Sequence, residues 1–124
     1  MTSLMIVDDE QLVRTSVRRT LRDAGFSSIH EASNGRNALE QLTVLAASNE
    51  LPALIITDCS MPIMDGIELA RQMRASTDLR AIPIIVCSGD NGNAMLAHNL
   101  RLPFFHKGID SLETLKQLVR EATK

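Results

Sequence analysis

Four short apolar runs each stop at a polar residue suited to phosphate chemistry. Leu4-Met5-Ile6-Val7 stops at Asp8-Asp9, and Ala53-Leu54-Ile55-Ile56-Thr57 stops at Asp58. Ile84-Ile85-Val86-Cys87 stops at Ser88, and Phe104-Phe105-His106 stops at Lys107. Adjacent carboxylates repel, and a hard cation relieves that repulsion. Mg²⁺ suits carboxylate, carbonyl and water ligands. Asp58 ends the most apolar run, where a lone carboxylate is costly to desolvate without partners. Beside a cation and Lys107 it reads as a nucleophile for a phosphoryl group, giving an acyl phosphate. Lys107 would pair with Asp58 at rest and with a phosphate oxygen after transfer. Ser88 would donate to the same oxygen, and Gly89 leaves room beside the backbone. Each residue alone has a plainer reading: a helix-start charge pattern for Asp8-Asp9-Glu10, a loop cap for Asp58, a turn serine, a solvated lysine. The coincidence at strand ends favours one shared site.

Sharing requires that the strands end on one rim. Leu4–Val7, Ser28–Glu31, Ala53–Thr57, Ile82–Cys87 and Phe104–His106 read as strands. Val13, Val17, Leu21 and Ala24 predict a helix over Gln11–Ala24, stopped by Gly25. Ala38, Leu39, Leu42, Leu45 and Ala46 predict a second over Asn37–Ala47. Asp65-Gly66 opens a third, with Ile67, Ala70 and Met73 facing inward. Asn93–Asn99 is a short helix with a poor apolar stripe. Ser111 caps the last, whose face is Leu112, Leu115, Leu118, Val119 and Ala122. Strand–helix alternation implies the α/β class, a doubly wound parallel sheet covered on both faces. In such sheets ligands bind at the carboxyl ends of the strands.

The 124 residues suggest a single domain over 1–124, and 44% apolar content supports a globular core. A net charge of -2 argues against nucleic acid as a partner. Without Trp or Tyr there is no base-stacking platform. No apolar run approaches the ~20 residues of a membrane span, and no secretory signal opens the chain. Two cysteines make no disulfide framework. The expectation is a cytoplasmic protein with no membrane partner.

In Ile6-Val7-Asp8-Asp9-Glu10, Thr57-Asp58-Cys59-Ser60-Met61-Pro62-Ile63-Met64-Asp65-Gly66, Val86-Cys87-Ser88-Gly89 and Phe105-His106-Lys107, the chain resembles the receiver domains of two-component response regulators, end to end. The second piece is the most specific. The resemblance implies a flavodoxin-like five-stranded sheet in the order 2-1-3-4-5. It implies that Asp58 accepts a phosphoryl group from a histidine kinase or histidine phosphotransfer protein. Asp9, Asp58 and the backbone carbonyl of Ser60 would ligate Mg²⁺ (or Mn²⁺), with Asp8 acting through water. Lys107 and Ser88 would bind the phosphoryl oxygens. Ser88 and Phe104 would form the switch that alters binding to an output protein the sequence does not identify; the plainer reading of Phe104 is a core residue. Phe105, by alternation, belongs to the core. Ser60 and Asp90 stand where the family tunes phosphate lifetime.

The match departs from the family at three places. Gly108 follows Lys107 where proline is usual. The stretch from Ser88 to Lys107 is short by about one helical turn, so a short or irregular fourth helix is expected. Leu100-Arg101-Leu102-Pro103 replaces the usual Gly-Ala. The output surface is therefore expected to differ while the site stays intact. Arg14, Arg18 and Arg22 form a stripe with Arg19 beside it, read either as a solvated face aided by Glu10–Arg14 and Arg19–Asp23 pairs or as a docking face for an acidic donor. Cys59 and Cys87 flank the site and read as packing residues.

The leading reading is a stand-alone receiver, a signalling switch that catalyses only its own phosphoryl transfer and dephosphorylation. An alternative is a receiver-fold interaction module that works without phosphorylation. A phosphatase of the haloacid dehalogenase type would need a second Asp two residues after the nucleophile, where Ser60 stands, and a covering cap.

Overall fold

The computed structural model describes residues 2–124. Strands and helices alternate: β1 Ser3–Val7, α1 Gln11–Asp23, β2 Ser28–Ala32, α2 Gly35–Ala47, β3 Leu54–Asp58, α3 Gly66–Ala75, β4 Ile84–Ser88, α4 Asn91–Asn99, β5 Phe104–His106 and α5 Leu112–Ala122. The strands are parallel in the order β2-β1-β3-β4-β5. Chain order reverses between β1 and β3, the crevice where ligands sit in open α/β sheets.

Alternation along each strand divides the core in two. Leu4, Ile6, Leu54, Ile56, Ile85, Cys87 and Phe105 pack with Leu21 of α1 and with Leu115 and Val119 of α5. Met5, Val7, Ile55, Ile84 and Val86 pack with Ala38, Leu42, Leu69, Ala70, Met73 and Ala97 from α2, α3 and α4. Each fully buried aliphatic side chain contributes about 1.5–3 kcal/mol of transfer free energy. Phe105 belongs to the core, as alternation requires.

Local chemistry sets the ends. Gly25, at φ 102°, closes α1: its N–H bonds Arg22 O at 3.0 Å, and Phe26 N–H bonds Leu21 O at 3.0 Å. This double bond satisfies carbonyls the helix leaves open. α2 starts at Gly35, ahead of the predicted Asn37, because Asn34 Oδ1 accepts the Asn37 N–H at 2.8 Å. β4 starts at Ile84 rather than Ile82, since Pro83 has no N–H to donate, although its carbonyl still accepts from Ile55 N–H at 3.0 Å. Ser111 Oγ caps α5 by accepting Thr114 N–H at 3.2 Å.

α4 is short but regular, a nine-residue helix. Leu100-Arg101-Leu102 supplies its stop. Arg101 turns left-handed at φ 57°, its N–H bonds His98 O at 2.9 Å, and Leu102 N–H bonds Ala97 O at 2.8 Å. Arg74 of α3 donates to the Leu100 carbonyl. Among the described residues, no helix is long and apolar enough to cross a membrane.

Candidate functional site

Register brings the four strand ends into one row. Val7 pairs with Thr57, Asp58 with Cys87, and Ser88 with His106. Asp8 therefore follows its strand beside Asp58, and Lys107 follows His106 beside Ser88. The Lys107 N–H bonds Ser88 O at 2.9 Å, which carries the ladder one residue past the strands.

The centre of the row is an ammonium shared by two carboxylates. Lys107 Nζ lies 3.1 Å from Asp58 Oδ1 and 3.2 Å from Asp8 Oδ2. Asp58 Oδ1 also accepts Cys59 N–H at 2.9 Å, and Asp8 Oδ1 accepts Glu10 N–H at 2.9 Å. Asp8 is only 3% exposed. Burial raises the Asp58 carboxyl above its usual range, and Lys107 opposes that rise. Burial alone would lower Lys107, but the charges of Asp58 and Asp8 outweigh it and hold the ammonium above its ordinary value. Paired charges offset each other's desolvation.

Asp9 is exposed, and one oxygen each from Asp8, Asp9 and Glu10 lie within 4.8 Å of one another. Hard oxygen donors at this spacing beside Asp58 fit a divalent cation that keeps several waters. Ser60 is exposed on the loop after β3. Two glycines hold that loop. A Cβ on Gly66 would meet the Asp58 carbonyl oxygen at 2.2 Å, and a Cβ on Gly35 would meet Met64 Cγ at 2.8 Å. Gly66 N–H bonds Cys59 O at 2.9 Å, and Gly35 N–H bonds Met64 O at 3.0 Å. Close backbone approach, which only glycine allows, thus seats α3 against the end of β3.

Ser88 is buried, and its Oγ accepts N–H groups from Asp90 and from Asn93 Nδ2, each at 3.0 Å. A Cβ on Gly89 would meet only Lys107 O, at 3.9 Å, so alanine would also fit there. Phe104 is half-buried against the α2–α3–α4 side of the core, edge-on to His106 with ring centres 6.1 Å apart. After Lys107 the chain turns at Gly108, φ 84°, and Asp110 fixes the turn: its Oδ2 accepts His106 N–H at 2.8 Å, and its own N–H bonds His106 O at 2.9 Å. A left-handed glycine therefore does the work at the position where proline is usual.

Spacing along one helix misses the partner of two of the arginines. Arg14 and Arg18 reach across to Glu31 of β2, with Arg14 Nε at 3.1 Å and Arg18 Nη1 at 2.7 Å. Arg14 Nη1 also donates to the Asp8 carbonyl at 2.7 Å, so it braces the turn that carries the acids. Asn93 was likewise legible only as a helix-start residue. A β-strand neighbour and a folded-back helix start leave no mark in local spacing. Cys59 and Cys87 join opposite core clusters, one on each sheet face. A cavity of about 360 Å³ opens between α1 and α5, with Asp8, Asp58 and Lys107 on its wall beside Leu12, Val13 and Leu112.

Residues 4–120 match the sequence profile of the response regulator receiver domain. The chain is 34% identical over 91 residues to the chemotaxis protein CheY1 of Helicobacter pylori, covering 73% of this chain and 70% of that one. It is 35% identical over 91 residues to the CheY homologue of Campylobacter jejuni, covering 73% of this chain and 67% of that one. The chemotaxis protein CheY4 of Vibrio cholerae superposes with a TM-score of 0.80 over 98% of both chains at 26% identity. The receiver domain of a signal transduction histidine kinase from Syntrophus aciditrophicus superposes with a TM-score of 0.85, at 26% identity, over 99% of this chain and 90% of that one. With a sheet of the same order and a matching profile along nearly its whole length, the chain belongs to the response regulator receiver domain family of two-component signalling.

Proposed function

We propose that this receiver is a phosphoacceptor whose Asp58 takes a phosphoryl group from a phosphohistidine on a histidine kinase or phosphotransfer protein. The observation that carries this reading is the ammonium of Lys107 held between Asp58 and Asp8 at 3.1 and 3.2 Å. It pre-positions a positive charge where phosphoryl oxygens arrive. An Asp58 oxygen attacks phosphorus, the P–N bond breaks, and its electron pair stays with the imidazole nitrogen, which then takes up a proton. Transfer of this kind depends on positioning and charge neutralisation more than on covalent chemistry.

Asp9, Asp58 and the Ser60 carbonyl would hold Mg²⁺, with Asp8 acting through water. When bound, the cation neutralises charge on the phosphoryl oxygens. Lys107 follows those oxygens, Ser88 donates its hydroxyl hydrogen to one of them, and Phe104 answers the movement of Ser88. The result is a switch that acts on an output partner or passes the phosphoryl group on. It turns over no other substrate.

Incubation with Mg²⁺ and phosphoramidate or acetyl phosphate, followed by intact mass, tests the proposal. One added phosphoryl group is expected, lost in Asp58→Ala and after chelation. An unchanged mass with small donors and with a donor protein would favour an interaction module that works unphosphorylated.

A further inference from the structure

Ser88 Oγ has two acceptor sites, and both are taken from the same side. Asp90 donates its backbone N–H, and Asn93 donates Nδ2, each at 3.0 Å. Asn93 lies in the first turn of α4, where its own N–H bonds Asp90 O at 3.1 Å. The same Nδ2 stands 3.5 Å from Ser60 Oγ, on the loop that follows Asp58. One amide thus touches the strand end that senses phosphate, the loop beyond the acceptor, and the start of the helix beside both. Ser88 is 5% exposed, so water does not readily replace a lost donor.

We infer that Asn93 is a positioning residue that clasps the resting Ser88 hydroxyl toward α4. This rests on the proposed phosphoacceptor reading of the site. For the Ser88 side chain to carry its Oγ toward a phosphoryl oxygen on Asp58, the bond from Asn93 Nδ2 is given up. The clasp therefore opposes the turned state and joins it to the first turn of α4. A ligand that favours one of two states is resisted by whatever holds the other. Asp90 N–H, the second donor to this hydroxyl, is a backbone group just before α4 and makes no side-chain link from within the helix. Asn93 supplies it through a side chain from the helix.

The test compares the wild-type chain with Asn93→Ala, using Mg²⁺ alone and then beryllofluoride at saturating Mg²⁺ as the phosphoryl mimic. Amide NMR reports both titrations, since the chain has no Trp or Tyr to follow. Loss of one buried hydrogen bond from the resting state is expected to tighten beryllofluoride binding by about two- to tenfold. The affinity for Mg²⁺ alone should change by less than about twofold, because among the described residues Asn93 bonds none of Asp8, Asp9 and Asp58 and meets Ser60 at its hydroxyl rather than its carbonyl; this split separates a clasp on Ser88 from general damage to the site. Beryllofluoride binding that is unchanged or weaker overturns the proposal, as does a parallel shift in both affinities. A wild-type chain that binds no beryllofluoride overturns the phosphoacceptor reading and the clasp with it, whereas wild-type binding with an indifferent variant overturns the clasp alone.

Discussion

The carbonyl oxygen of Asp58 lies 2.2 Å from where a Cβ on Gly66 would stand. Backbone, not a flexible side chain, fills that space, so the start of α3 is fitted to the residue that ends β3. Gly66→Ala should therefore cost about 3 kcal/mol and displace Asp58 as well. Gly25→Ala is the control. At φ 102° nothing lies within 4 Å, so it should cost about 1 kcal/mol from conformation alone and leave the site intact. Urea midpoints and intact-mass phosphorylation of the two variants check both halves.

Lys107 separates two carboxylates that otherwise face each other across the β1–β3 crevice. Without divalent cation, Lys107→Met leaves Asp8 and Asp58 uncompensated. The lysine side chain is 33% exposed, so solvent screening limits the loss to about 1–2 kcal/mol. Mg²⁺ should then raise the melting temperature of the variant more than that of the wild type, because the cation takes over the neutralisation. Equal gains in both proteins would show that the ammonium and the cation do not serve the same charges.

Ile63 is strained in the loop after β3. A β-branched residue is rarely found at positive φ, yet Ile63 sits at φ 70° with 76% of its surface exposed. Strain of this kind costs about 1–3 kcal/mol, and glycine gives back part of the relief through its freer unfolded chain. Ile63→Gly should stabilise the fold by about 1 kcal/mol, seen as a higher urea midpoint with an unchanged slope.

Burial pushes the Cys59 thiol up to about 11 and the Cys87 thiol up to about 12. Both stay protonated at pH 8, where an unfolded thiol with its ordinary value of 9.0 is already partly ionised. Native protein should therefore resist thiol reagents at pH 8 and release two reactive thiols on unfolding. The linkage has a definite sign. The folded state keeps protons that the unfolded chain gives up near 9.0, so stability should fall as pH rises from about 9 toward 11 and 12. The two thiols lie on opposite faces of the sheet, so oxidation should give no intramolecular disulfide, as non-reducing mass analysis would show.

The sequence by itself determined the alternating elements, the parallel sheet and the row of polar residues at the strand ends. Period-two and period-3.6 patterns are local, and burial enforces them. It also placed the start of the third helix at Asp65-Gly66, where Asp65 caps the helix. Tertiary structure alone decided which acid of Asp8-Asp9 is buried against Lys107, that Arg14 and Arg18 turn to Glu31, and that Asn93 reaches Ser88. These contacts join residues on different elements, or fold a helix start back onto a strand end. Their geometry follows from register and rotamer rather than from spacing along the chain, so no local pattern carries them.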